Sequence, residues 1–290
     1  MEPRRNVLIL KGNVSAENVL DLLDVLLRNI QNRNGLQRAP EPWQIFSFIC
    51  ASGVSSPLAI LLGRLKKGTE DCRAVLKLIH EHYFRLCAVP SSYTAWAGFL
   101  TLRRSLAEIC DNSRLVHGPE TADKRCDIFI WKPRKTDEPS DHITTHNYDI
   151  TNPASVGTST LDALLSSLCV QEDPYPEHPF HGLVNAAKAS SDLLHNGDIY
   201  VSIRSPAKDD REEFSEHETM NNMRDISHFA FVVDNADPNS FPTQKAIEPA
   251  VEALARWLEY SSEQADDGSV EDRMVDLREY SVRSGYGRAE

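Results

Sequence analysis

The chain has 290 residues, with 31 basic and 43 acidic side chains and a formal net charge of -12 at pH 7. This acidic balance argues against a general nucleic-acid-binding protein, because the phosphates would be repelled. Hydrophobic residues make up 41% of the chain and charged residues 26%, which excludes a disordered chain and is typical of a globular protein. No run of about 18 uncharged apolar residues occurs, so we expect no transmembrane segment. The apolar run near the N-terminus is too short for a signal peptide, and we therefore expect a cytoplasmic protein.

The cysteines show neither a CxxC pair nor the spacing of a metal site. Most of them lie within apolar runs, where a free cysteine behaves as a small hydrophobic residue. The sequence therefore predicts reduced, buried thiols, no metal and no cofactor. The six residues are Cys50, Cys72, Cys87, Cys110, Cys126 and Cys169.

The first part of the chain alternates between strand and helix patterns. Residues 6–10 form an apolar run of strand length, and a helical period begins after Ser15, a suitable N-cap. Residues 44–50 predict a second strand, which reaches a helix at 58–65 through a turn of small residues.

The rest of the chain continues this alternation. Further helices are predicted at 69–86, 93–109, 161–170, 183–194 and 247–260, and further strands at 126–131, 198–203 and 228–233. Such alternation favours a mostly parallel sheet covered on both faces, a three-layer α/β/α sandwich. We expect a single domain over residues 1–260 and an acidic, flexible tail over 261–290.

The second strand, its turn and the following helix have the form of a nucleophile elbow. Such an elbow holds a serine on a sharp turn beside the first N–H groups of a helix, which stabilise an oxyanion. The stretch Phe46 to Leu65 (FSFICASGVSSPLAILLGRL) resembles the patatin-like phospholipases, especially their fungal branch. The N-terminal strand–turn–helix and residues 229–260 resemble the same family. The resemblance implies the α/β/α fold and a small lipid or acyl ligand.

The resemblance also implies that the catalytic serine is lost. The family's elbow serine falls on Gly53, which has no side chain to acylate, and its flanking glycines fall on Ala51 and Ser55. A covalent acyl-transfer mechanism needs a nucleophile. The ordinary lipase mechanism is therefore not expected.

Two other parts of the family mechanism are altered as well. The turn that supplies oxyanion N–H groups corresponds to Lys11, Gly12 and Asn13, where one glycine remains. The aspartate of the family's Ser/Asp dyad corresponds to His181. Lys11 either binds a carboxylate or phosphate or points to solvent.

Three serines remain beside the elbow, at positions 52, 55 and 56. One of them would be a relocated nucleophile if His181 served as its base. Helix capping by Ser55 and Ser56 is the preferred interpretation, because neighbouring residues on a tight turn point in different directions.

The altered motifs leave two functional hypotheses. The first is a patatin-like pseudoenzyme that binds a lipid or acyl ligand, or serves as an interaction module. The second is a biosynthetic enzyme of fungal specialised metabolism, which reuses the pocket for a cyclisation, isomerisation or acyl transfer. In both, the candidate pocket consists of Lys11, Gly12, Asn13, Ser52, Gly53, Ser55, Ser56 and His181.

Overall fold

The computed structural model describes residues 6–11, 14–88, 92–110, 126–132, 141–144, 159–168, 199–206, 227–237 and 240–263. The strands in these ranges are β1 (Asn6–Lys11), β2 (Phe48–Ser52), β3 (Asp127–Lys132), β4 (Asp141–Thr144), β5 (Ile199–Arg204) and β6 (Ser227–Val232). The helices are α1 (Ala16–Asn34), α2 (Pro42–Ile45), α3 (Ser56–Ala59), α4 (Thr69–Ala88), α5 (Ser92–Cys110), α6 (Thr160–Ser167) and α7 (Gln244–Glu263). The predicted alternation of strands and helices is confirmed, and the fold is an α/β sandwich.

The described strands form one sheet in the order β4-β3-β2-β1-β5-β6. Only β4 runs antiparallel to its neighbour, and the other five strands are parallel. From β1 the chain continues to β2 and β3, which lie on one side of β1 in the sheet. From β5 it continues to β6, which lies on the opposite side of the sheet. The neighbouring strands β1 and β5 therefore flank a topological switch point, where ligands bind at the carboxyl ends of α/β sheets.

The central strands β1, β2 and β5 are buried on both of their faces, as predicted. The first face of the sheet carries residues such as Leu8, Ile49 and Val201, which share one hydrophobic cluster with all the described helices of two or more turns. The second face carries the alternate residues, among them Val7 and Tyr200, which are buried but lie outside that cluster. Burial on both sides is what the continuous apolar runs of β1 and β2 indicate. The helix predicted at 183–194 lies outside the described residues.

Helix α1 forms as its sequence pattern predicts. The Ser15 hydroxyl accepts a hydrogen bond from the Asn18 amide at 3.1 Å, which caps the first turn. Gly35, at φ 63°, ends the helix in the left-handed conformation that glycine adopts without steric cost. The apolar stripe faces the core, and an exposed ion pair of 2.8 Å between Arg33 and Glu248 links α1 to α7.

Several predicted boundaries differ from those of the structure. The segment before the elbow is split, because residues 42–45 form α2 and β2 starts only at Phe48. Pro42 lies in the first turn of that helix, where its missing N–H is harmless, and it favours helix over strand there. The helix predicted at 58–65 starts two residues earlier and changes to a π-helical turn at Ile60–Arg64. Helix α7 spans Gln244–Glu263 and so extends three residues beyond each end of the helix predicted at 247–260. The remainder of the predicted tail lies outside the described residues.

Four cysteines in the described ranges are free and buried, which confirms the prediction for them. They are Cys50, Cys72, Cys110 and Cys126. Burial raises the pKa of the Cys50 and Cys72 thiols well above their ordinary value and raises that of Cys110 to about 11. The thiols of Cys50, Cys72 and Cys110 therefore stay protonated and unreactive at neutral pH.

We expect the protein to lose stability as the pH rises from 9 towards 11. The folded-state pKa of Cys110, about 11, exceeds its ordinary value of 9.0. Its contribution is therefore complete below pH 9.0 and is lost as the pH rises through the folded-state pKa. Urea unfolding of the wild type and the Cys110→Ala variant at about pH 8 and about pH 10.5 measures the contribution of Cys110 to this loss of stability. Equal losses of stability in the two proteins would contradict the prediction.

Candidate functional site

The elbow predicted from the sequence exists as a strand–turn–helix. Strand β2 ends at Ser52, a 3₁₀ turn follows at Gly53–Ser55, and α3 begins at Ser56 with Pro57 in its first turn. Gly53 thus occupies the first turn position after the strand. The position from which an elbow nucleophile would project has no side chain in this protein.

The capping roles predicted for Ser55 and Ser56 are wrong. The Ser55 hydroxyl makes no capping bond and instead donates to the Val14 carbonyl at 3.3 Å, with both residues fully buried. The Ser56 hydroxyl is also buried and has no hydrogen-bond partner among the described residues. Ser55 therefore connects the elbow to the segment between β1 and α1, a structural role that local sequence does not reveal.

The helix after the elbow lies unusually close to the sheet. A Cβ atom added to Gly63, within the π-helical turn, would stand 2.5 Å from Ile128 Cγ2 and 3.4 Å from Cys126 Sγ. Only a glycine permits this approach. A π-helical turn is a rare feature that often accompanies functional sites, and here it adjusts the path of the helix directly behind the elbow.

Lys11 and Ser52 lie at the same edge of the sheet. Lys11 is the last residue of β1 and Ser52 the last of β2. Leu10 pairs with Ala51, so Lys11 and Ser52, the next residue of each strand, lie side by side. Both side chains therefore project towards the second face, and both residues are half-buried. Gly12, Asn13 and His181 lie outside the described residues, so their predicted convergence with Lys11 stays a prediction.

The second face also carries three polar residues that the sequence motifs do not predict. Ser202 and Arg204 lie on β5, and Arg204 is the register partner of Lys11. His228 lies on β6, and its Nε2 atom is 2.9 Å from Ser202 Oγ. Ser202 is 1% exposed and Arg204 8% exposed, although both are polar.

The strand sequence contains a signal for this cluster. In IYVSIR (199–204) the serine and the arginine occupy alternate positions of a run otherwise made of apolar residues and one tyrosine. Alternate residues of a strand share a face, so the pattern indicates two polar groups side by side in a buried setting. The histidine comes from another strand, and its proximity depends on the register of β5 and β6.

The described residues contain no group of three or more His, Cys, Asp or Glu side chains placed to hold a metal ion. None of the helices in the described ranges is both long enough and apolar enough to cross a bilayer.

Comparisons with known proteins give no assignment. No protein-family model matches the chain, and no curated protein matches it.

Proposed function

We propose that this chain is a patatin-like pseudoenzyme, whose elbow is catalytically inert and which binds a lipid or another acyl ligand. The observation that carries the proposal is Gly53 at the first turn position after β2, where a nucleophilic hydroxyl would be needed. The resemblance of residues 46–65 to the family's elbow supports the ligand class.

The remaining serines support an inert elbow. Ser55 is fully buried and its hydroxyl bonds to the Val14 carbonyl, so it serves the packing of the elbow. Ser56 is fully buried as well. Ser52 is half-buried, but it belongs to the strand and not to the turn beside the helix N–H groups. A hydroxyl at Ser52 would be displaced from the reactive position, and a displacement of even about 1 Å is costly for catalysis.

A second candidate is the biosynthetic enzyme that reuses the same region for a non-lipolytic reaction. One observation favours it: Lys11 shares its sheet edge with the buried Arg204, which provides polar groups at the switch point between β1 and β5. A scaffold alone has no need for such groups.

Two measurements on the purified full-length chain test the pseudoenzyme. A titration with a fluorescent fatty acid should show saturable binding that unlabelled oleate displaces. Assays with p-nitrophenyl butyrate and phosphatidylcholine vesicles should show no turnover that depends on the elbow. Turnover that disappears in Ser52→Ala or Ser55→Ala would contradict the inert elbow, and the absence of saturable binding would contradict the acyl ligand.

A further inference from the structure

Ser202 and His228 form a hydrogen-bonded pair on the second face of the sheet. The distance from Ser202 Oγ to His228 Nε2 is 2.9 Å. A serine within hydrogen-bond reach of a histidine is the arrangement that activates a hydroxyl as a nucleophile. Ser202 is buried, whereas His228 is partly exposed on β6, the terminal strand of the described sheet.

Two cations lie next to this pair. Arg204 follows Ser202 by two residues on the same face, about 6.6 Å further along the strand. Lys11 pairs with Arg204 in the register of β1 and β5. Arginine and lysine side chains bind a carboxylate or a phosphate through charge-assisted hydrogen bonds.

The location of the cluster also favours a ligand site. Lys11 and Arg204 are the last residues of β1 and β5, the strands that flank the switch point. Crevices at the carboxyl ends of strands at such a point bind ligands in open α/β sheets. The pair and the two cations thus lie on one face of the sheet, with the cations at the carboxyl ends of the strands.

We propose that Ser202 and His228 are the nucleophile and general base of an acyl-transfer site for esters whose acyl group carries an anionic substituent. Arg204 and Lys11 bind that substituent. This activity goes beyond the proposed function, because it does not use the elbow at Gly53.

The reaction balances without a cofactor. Ser202 Oγ forms a bond to the ester carbonyl carbon while its proton passes to His228 Nε2, and the bond from that carbon to the leaving oxygen breaks. The histidine returns the proton to the leaving alcohol. Water then attacks the acyl-serine, its proton passing to His228 and on to Ser202 Oγ, and releases the acid.

A small fluorophosphonate probe tests the nucleophile on the full-length chain, with the modified peptide located by mass spectrometry. We expect labelling at Ser202. The label should be absent in Ser202→Ala, and His228→Gln should slow it by about 100-fold or more, because the glutamine keeps a polar contact but cannot act as a base. The matched controls are Ser47→Ala, at the opposite edge of the sheet, and His80→Gln, on the exposed side of α4. Both should label at the wild-type rate.

Two results would overturn the proposal. One is the absence of label at Ser202 in a wild-type protein whose circular dichroism shows the folded state. The other is labelling at Ser202 that His228→Gln leaves unchanged, because the serine would then react without its base. Label located at Ser52 would contradict the inert elbow instead, so the modified peptide shows which of the two proposals fails.

The anionic preference has its own test. The mono-p-nitrophenyl ester of glutarate should be hydrolysed at least about 10-fold faster than p-nitrophenyl butyrate, because its free carboxylate lies within reach of the two cations. Lys11→Gln should reduce this ratio, because one of the two cations that bind the carboxylate is removed. Equal rates for the two esters in the wild type would overturn the role of Arg204 and Lys11.

Discussion

Replacing Leu58 by alanine is expected to destabilise the protein by about 2–5 kcal/mol. Leu58 is fully buried in α3, directly after the elbow, and α3 contacts β2, β3 and α6. Removing its side chain beyond Cβ leaves a cavity that these elements cannot close without moving the elbow. Urea unfolding monitored by circular dichroism measures the change in the free energy of unfolding.

A matched control lies four residues earlier in the chain. Val54 belongs to the elbow turn itself and is 47% exposed, so Val54→Ala should change the free energy of unfolding by no more than about 0.5 kcal/mol. If Leu58→Ala and Val54→Ala changed the free energy of unfolding equally little, the result would contradict the packing of α3 against the sheet.

Replacing Gly63 by alanine should destabilise the protein by about 1–3 kcal/mol. The new Cβ would stand 2.5 Å from Ile128 Cγ2 and 3.6 Å from Ile49 Cδ1, so the π-helical turn has to move away from the sheet. Both isoleucine side chains lie on the first face of the sheet and are fully buried, so close packing leaves them little space to move into. The same unfolding experiment measures the loss.

A double variant and a second glycine make this prediction specific. Ile128→Ala removes the clashing methyl group. The double variant should therefore lose less stability than the two single variants together, by about 0.5–3 kcal/mol. At Gly68 a new Cβ would stand 2.7 Å from Glu41 Oε2, the end of a flexible side chain that can turn away. Gly68→Ala should therefore cost less than about 1 kcal/mol. Additive effects of Gly63→Ala and Ile128→Ala would contradict the close approach.

Much of the fold is predictable from local patterns. The apolar runs at 6–10 and 126–131 mark strands, and the stripe after Ser15 marks α1, because periods of 2.0 and 3.6 residues follow from backbone geometry alone. The predicted strand at 44–50 fails at its start. The apolar pattern there fits a strand, but Pro42 and the hydrogen bond from the Glu41 amide to the Gln44 side chain stabilise a helical turn instead.

The candidate site was less predictable than the fold. The absence of a hydroxyl from the first turn position after β2 can be read at Gly53, because a glycine has no side chain in any fold. The role of Ser55 was predicted incorrectly, because its hydroxyl bonds to Val14, 41 residues away in the chain. The pairing of Ser202 with His228 was not predicted at all, because it requires the parallel register of β5 and β6.

The class of the fold, the strand–turn–helix of the elbow and the absence of a hydroxyl at Gly53 all follow from the order of the amino acids. These features depend on residue identity and on short-range periodicity. The strand order, the approach of Gly63 to Ile128 and the pairing of Lys11 with Arg204 are visible only once the chain is folded. Each of these depends on contacts between segments far apart in the chain, where many arrangements share the same local pattern and packing selects one.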